Sequence, residues 1–488
     1  MPSTSCAALS PESLSRRPSQ RLGVSASKFV PLAPAPPLPT GFRPRTPDAP
    51  THHASGISSQ RLGVSASKLL LLTLALAAAA FAQPPLHLTL AEAQRLAVQN
   101  HPRLAAARSL AAAAAQVPKE YRAAFEPTAF GSVTGVGADN GSRLAAGALN
   151  NPVVYDRLGS GLTLSQLVTD FGRTSNLAAS ASLRAAAQEQ TAESVRERIV
   201  LDVSRAYFGL LRANAVQKVA EQTVHSRQLV ADQVTALAES KLKSTLDVSF
   251  AEVNLGEARL MLVEAEAQVK NAASDLAAAL GLPNETAFDL GAESMPEALP
   301  DTADPLVRSA IAARPELKDL RLQASAQQRF VKAEHALFYP SVGLVGSAGF
   351  APAAYETVPG KYGAVGVNLN IPVFNGGLFR ARQTEAEMRA RAITQSESDL
   401  ELAIARDVRV AWRNATTAYD RLAITRQVLA HAQSAADLAQ TRYDIGLGSI
   451  VELSQAQLGL TAAQIADTTA AYDYQLQRVV LAYQAGTL

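Results

Sequence analysis

Two acidic residues stand at matching places in the chain. The stretches ESKLKSTLDVSFAEV (239–253) and YDIGLGSIVELSQAQ (443–457) share a framework: Leu242 answers Leu447, Ser244 answers Ser449, Asp247 answers Glu452 and Ser249 answers Ser454. A hydroxyl followed three residues later by an acid is the spacing of a capping box, which starts a helix by satisfying its first backbone N–H groups. Gly446 and Gly448 permit a tight turn just before it. Other chemistry is thin. His87, His101, His225, His335 and His431 are scattered without metal-ligand spacing. No Walker-type phosphate loop occurs, and no nucleophile stands beside a base. The expectation is a protein that is not an enzyme and has no metal or cofactor.

The whole chain narrows the class further. It has 488 residues, 48% hydrophobic and 18% charged, enough apolar surface for a large core or an extended helical interface. A net charge of +2 gives no electrostatic case for nucleic acid. Cys6 is the single cysteine, so no disulfide framework exists. Residues 1–60 are rich in Pro and Ser, as disordered chain is. Within 1–68 the ten residues SQRLGVSASK occur at 19–28 and again at 59–68, which reads as a local duplication or a start codon placed too early. Lys68, an apolar run and Ala80-Phe81-Ala82 before Gln83 read as a secretory signal, too short to span a bilayer. No cysteine follows Gln83 to carry a lipid. Residues 1–82 are therefore expected to be leader and signal peptide.

The elements that must position the two acids are themselves duplicated. Asn100-His-Pro-Arg-Leu104 answers Ala313-Arg-Pro-Glu-Leu317, and Phe125-Glu-Pro127 answers Phe338-Tyr-Pro340. From Gly161 and Gly366 onward the offset is constant at 205, through Asp247 and Glu452. The expected division is a first repeat over 83–290, a joint over 291–303 and a second repeat over 304–488. Each repeat reads helix, strand, strand, long helix, break, helix. The first helix is expected to run from Thr89 to Phe125, and its partner to start with Asp304 as N-cap and Pro305 behind it. Alternation puts Val342, Leu344, Ala348 and Phe350 on one strand face and aligns Val365, Val367, Leu369, Ile371 and Val373 on another. Tyr121–Gly137 is the weakest strand region. The proline-free stretches near 175–239 and 378–444 predict helices of roughly 65 residues, near 100 Å. Shorter helices of about 36 residues flank them, so two laid end to end match one long helix.

A soluble coiled-coil scaffold, secreted or periplasmic, is the alternative reading, but a rod has no use for two inserted strand pairs. Four strands cannot close a barrel, and an open edge in lipid is not tolerated. Three chains would supply twelve strands. The fold expected is a mixed α/β membrane protein: a trimeric twelve-stranded β-barrel, four strands per chain, continued by a long α-helical coiled-coil tunnel.

These residues resemble the TolC-like outer membrane efflux protein family. The resemblance rests on Asn100-His-Pro-Arg-Leu104, Phe338-Tyr-Pro340, Pro372-Val-Phe-Asn-Gly-Gly377, Leu280-Gly-Leu-Pro283 and Tyr443-xx-Gly-xx-Ser-xx-Glu-Leu, in duplicated order. It implies a homotrimer in the outer membrane with its helices in the periplasm, a periplasmic adaptor and an inner-membrane transporter as partners, and passive export. The two breaks then correspond to the family's periplasmic tips: Lys241, Leu242, Ser244, Gly446, Leu447, Gly448 and Ser449 would meet the adaptor. Tyr443, Asp247 and Glu452 match gate or constriction positions. Gly448 stands where the best-known members place a gate arginine, Gln455 where they place a second inner acid, and Lys241 where they place a turn glycine. Lys243, at the place of Gly448 in the other repeat, is expected to supply the missing cation by pairing with Asp247 or Glu452.

Overall fold

The computed structural model describes residues 86–137, 157–283, 287–291, 293–296, 299–352 and 360–488. The expected leader, signal segment and mature start at Gln83 lie outside these residues. Each repeat begins with a helix broken by proline. In the first, α1 (Leu90–Asn100), α2 (Pro102–Ala114) and α3 (Val117–Arg122) replace the single helix expected from Thr89 to Phe125. Pro102 has no N–H to donate and pushes the preceding residue out of the helical region. His101 accordingly sits at φ −70°, ψ 122° and caps α2 with its ring nitrogen, 3.1 Å from the Arg103 N–H. The second repeat does the same: α6 (Asp304–Ala313) stops at Arg314, and α7 (Pro315–His335) starts at the proline. Asp304 is not the N-cap. Ala303 holds that place, and Asp304 lies in the first turn, 3.8 Å from Arg409.

Strands follow: β2 (Thr128–Val136) and β3 (Arg157–Thr169) in the first repeat, β5 (Ser341–Phe350) and β6 (Lys361–Asn370) in the second. Of the weak region Tyr121–Gly137, only the part from Thr128 is strand. β6 ends at Asn370, short of the expected Val373, because Pro372 cannot join a ladder. The four strands make one antiparallel sheet in the order β2-β3-β5-β6, with Leu164 opposite Gly346 and Gly346 opposite Val365. β2 and β6 are its edges, and every residue of β6 is exposed.

The sheet leads into two helices of identical length, α4 (Arg173–Glu239) and α8 (Leu378–Asp444), 67 residues each. Each turns back into a helix of 36 residues, α5 (Thr245–Leu280) and α9 (Ile450–Ala485). The end-to-end stacking of short helices is real. A Cβ on Gly281, just past α5, would lie 3.1 Å from His101 Cα at the start of α2, and one on Gly486, past α9, would lie 3.1 Å from Ala313 beside α7. Both glycines are left-handed (φ 73° and 69°) and close a Schellman-type end, with Leu282 N–H on Ala277 O and Thr487 N–H on Ala482 O. α7, from the second repeat, packs along the first part of α4, tied by Ser180 Oγ donating to Ala326 O at 2.8 Å.

A short parallel pair missed in the sequence, β1 (Leu86–Leu88) with β4 (Phe288–Leu290), ties residues near the expected mature start to the segment just after α5. Tyr207, fully buried on α4, fastens this seam by placing its hydroxyl 2.7 Å from Gly291 O and 3.2 Å from Leu88 O. Trp412, its counterpart 205 residues on, donates its indole N–H to Pro300 O at 3.0 Å. The core around Tyr207 includes Ala93, Leu104, Val203, Leu276 and Leu280. Among the described residues no helix is long and apolar enough to cross a membrane.

Candidate functional site at the helical tips

The two helical turns share one backbone. In the first, Lys241 N–H reaches Ala238 O at 2.9 Å and Leu242 N–H reaches Leu237 O at 2.9 Å. In the second, Gly446 N–H reaches Tyr443 O at 3.1 Å and Leu447 N–H reaches Arg442 O at 2.8 Å. The residue at the corner is left-handed in both, Lys241 at φ 61° and Gly446 at φ 78°. Lys241 therefore adopts the glycine conformation despite its Cβ. Ser244 and Ser449 then cap the returning helices, their hydroxyls accepting the Asp247 and Glu452 N–H at 3.2 and 3.1 Å.

The two acids part company from here. Asp247 completes its capping box: its Oδ2 accepts the Ser244 N–H at 3.0 Å and the Ser244 hydroxyl at 2.9 Å. Glu452 does not complete the expected box. Its Oε1 takes the guanidinium Nε of Arg442 at 3.1 Å. Arg442 also donates to Leu447 O at 3.2 Å, while its own carbonyl accepts from Leu447 and Gly448. A Cβ on Gly448 would lie 3.1 Å from the Tyr443 backbone N, so the glycine lets the turn pass close over Arg442 and Tyr443.

The tips are joined to each other. Lys243 does not ion-pair with Asp247 or Glu452 as expected; its Nζ lies 4.1 Å above the Tyr443 ring, a cation–π contact from one tip to the other. Tyr443 is 2% exposed, and its hydroxyl has no hydrogen-bond partner among the described residues. Burial, with Asp247 and Asp444 adding to it, holds its phenol above the usual tyrosine range. Beneath the ring, Val234, Leu255, Ala439, Ile450 and Leu453 from four helices form one core. Asn254 donates to Ser454 Oγ at 2.7 Å, Gln233 to Asp444 Oδ1 at 3.2 Å, and Arg227 to Gln457. At the turns Leu242 and Leu447 stand 71% and 69% exposed. Arg442 went unremarked in the sequence. Its signal was there: it occupies the place of Leu237 in the other repeat, a charge exchanged for an apolar side chain beside a turn. Among the described residues no group of three or more His, Cys, Asp or Glu could hold a metal ion.

A duplicated helical hairpin pair with a four-stranded sheet has counterparts. The family model described as outer membrane efflux protein matches residues 94–282 and 306–487. The chain belongs to the outer membrane efflux protein family. The two matched segments are separated by residues 283–305. The outer membrane efflux protein BepC of Brucella suis is 24% identical over 336 residues, 67% of this chain and 72% of that protein. The outer membrane protein TolC of Escherichia coli is 22% identical over 373 residues, 72% of this chain and 74% of that protein. The CmeC outer membrane channel of Campylobacter jejuni, 19% identical, superposes with a TM-score of 0.70 over 82% of this chain and 85% of that one. Membership of an outer membrane efflux family, which is a transport and not an enzyme family, places the protein in the outer membrane and sets the soluble scaffold reading aside.

Proposed function

We propose that this protein is the outer membrane exit duct of a tripartite efflux or type I secretion system. Three copies close their sheets into a twelve-stranded barrel in the lipid, and the paired long helices continue it into the periplasm as a tunnel. The observation that carries this reading is the sheet itself. Four strands with unpaired edges at β2 and β6 are complete only beside further copies, since exposed ladder groups in hydrocarbon cost several kcal/mol each. The exposed apolar side chains of β6, Val365, Val367 and Leu369, fit a lipid-facing surface.

The tips form the periplasmic mouth. Leu242, Leu447 and the turn residues Lys241, Ser244, Gly446, Gly448 and Ser449 dock a periplasmic adaptor, which couples the duct to an inner-membrane transporter. Lys243 on Tyr443 is a latch between the hairpins, with Asp247 and Glu452 beside it at the constriction. Export through the duct is passive, and the leader is removed before Gln83. Mass measurement of the detergent-solubilised protein, corrected for bound detergent, is expected to show three chains. A monodisperse monomer or dimer would end the shared-barrel reading.

A further inference from the structure

We infer that Arg442 sets the ionic selectivity of the duct's mouth by neutralising Glu452, an inference that rests on the exit-duct reading above. The guanidinium is held in place rather than loosely tethered. Its Nε meets Glu452 Oε1 at 3.1 Å, another nitrogen meets Leu447 O at 3.2 Å, and the Arg442 carbonyl receives the Leu447 and Gly448 N–H at 2.8 and 2.9 Å. One residue thus brackets the turn from its side chain and its backbone. Both members of the pair are 46% exposed, so ions in the mouth meet them directly.

Within the capping turns each acid has its own company. Asp247 is held by the neutral donors of Ser244, and Lys243 lies above Tyr443, whose phenol feels the Asp247 charge. Of these two acids, Glu452 is the one in an ion pair, with Arg442. A carboxylate joined to a guanidinium presents a dipole, whose field falls off faster than that of a bare charge. Gln455, three residues beyond Glu452, adds none. A ring of bare carboxylates selects cations; this ring is paired, and the partner comes from the same hairpin. Arg442 is therefore a specificity-determining residue.

The test is the reversal potential of the reconstituted trimer in planar bilayers under a KCl gradient. Arg442→Gln bares three carboxylates. At ~10 Å and physiological ionic strength their screened field raises the preference for potassium over chloride roughly threefold. Arg442→Lys keeps the charge and the wild-type reversal potential. Arg442→Gln with Glu452→Gln loses the clip and the charge together, and returns to the wild-type value. An unshifted Arg442→Gln channel overturns the inference while leaving the duct intact, and so does a double variant that stays shifted, because the effect would then come from the shape of the turn. Wild-type trimers that conduct no ions would instead sink the duct reading and this inference with it.

Discussion

The two repeats reach the same corners with different residues. At the strand-to-helix corner Phe171 (φ 55°) stands where the second repeat has Gly376 (φ 62°), and at the tip Lys241 (φ 61°) stands where it has Gly446 (φ 78°). Both non-glycine residues with positive φ among the described residues thus lie in the first repeat, at positions where the second uses glycine. A side chain in this conformation costs on the order of 1–3 kcal/mol and persists only where its surroundings over-determine the backbone. Those surroundings are the same in both copies: a strand that must enter a helix, and a helix that must reverse. Phe171 offsets part of its strain by stacking on Tyr339, with ring centroids 6.0 Å apart. Among the described residues Lys241 makes no ring contact of this kind, and its turn is held by the same backbone bonds as the Gly446 turn. The fold dictates the corner, and the residue there is chosen second.

The largest expected effect separates glycines that need conformation from those that also need space. Gly281→Ala places a Cβ 3.1 Å from His101 Cα at φ 73°, against backbone that cannot swing away. Strain and crowding together should cost about 2–4 kcal/mol. Gly446→Ala has a similar φ, 78°, but nothing within 4 Å, and should cost about 1 kcal/mol. Thermal unfolding in detergent, followed by helical circular dichroism, should show a clearly lower midpoint for Gly281→Ala. Equal shifts would mean that the stacked helix ends do not depend on that close approach.

The next contrast lies further up the long helices. Glu197 on α4 is 7% exposed, whereas its counterpart on α8, Leu402, is 73% exposed. Burial, and then the neighbouring Glu316 carboxylate, push Glu197 up to about 6; Arg196 and Arg314 oppose them and Glu193 adds to them. The folded protein therefore holds this proton more tightly than the unfolded chain. The stabilisation is complete below the ordinary carboxylate range and is lost as pH rises through about 6. Glu197→Gln should remove that slope and stabilise the protein near pH 7.5 by up to about 2 kcal/mol. Unfolding at pH 5 and pH 7.5, read by the fluorescence of the single tryptophan, Trp412, tests this. A variant with the wild-type pH slope would exonerate Glu197.

The smallest energy per chain belongs to the tips. Lys243 and Gly448 are counterparts, and only the lysine reaches across to Tyr443. A cation–π contact of this kind is worth about 0.5–1 kcal/mol. On the proposed reading of a trimeric duct gated at the tips, Lys243→Ala should therefore raise the open probability of the channel in planar bilayers. Wild-type gating in an intact mutant trimer would remove Lys243 from the mechanism.

Much of this was legible in advance because duplication and periodicity are local records. The 205-residue offset aligned the capping serines, the acids and the ends of the long helices, and alternation found the strands. The break at His101-Pro102 was legible as well, since proline restricts the residue before it, yet a continuous apolar pattern hid it. The β1–β4 pair was not legible: two three-residue strands about 200 positions apart carry no period of their own. The partners of charged side chains were least legible of all. Asp247 and Glu452 look alike in the chain, yet Asp247 binds its own serine and Glu452 binds Arg442.

What the sequence determined by itself is the repeat, the lengths of the two long helices and of the helices that return from them, the two tips where they turn and the hydroxyl that starts each returning helix. These follow from propensity, capping and proline chemistry, which act within a few residues. Only the tertiary structure decided that α7 of the second repeat packs on α4 of the first, that Tyr207 seals the joint, that Lys243 rests on Tyr443, and that Arg442 claims Glu452. Long flexible side chains have several partners within reach of any turn. The choice among them is made by which neighbouring backbone and rings the fold brings alongside.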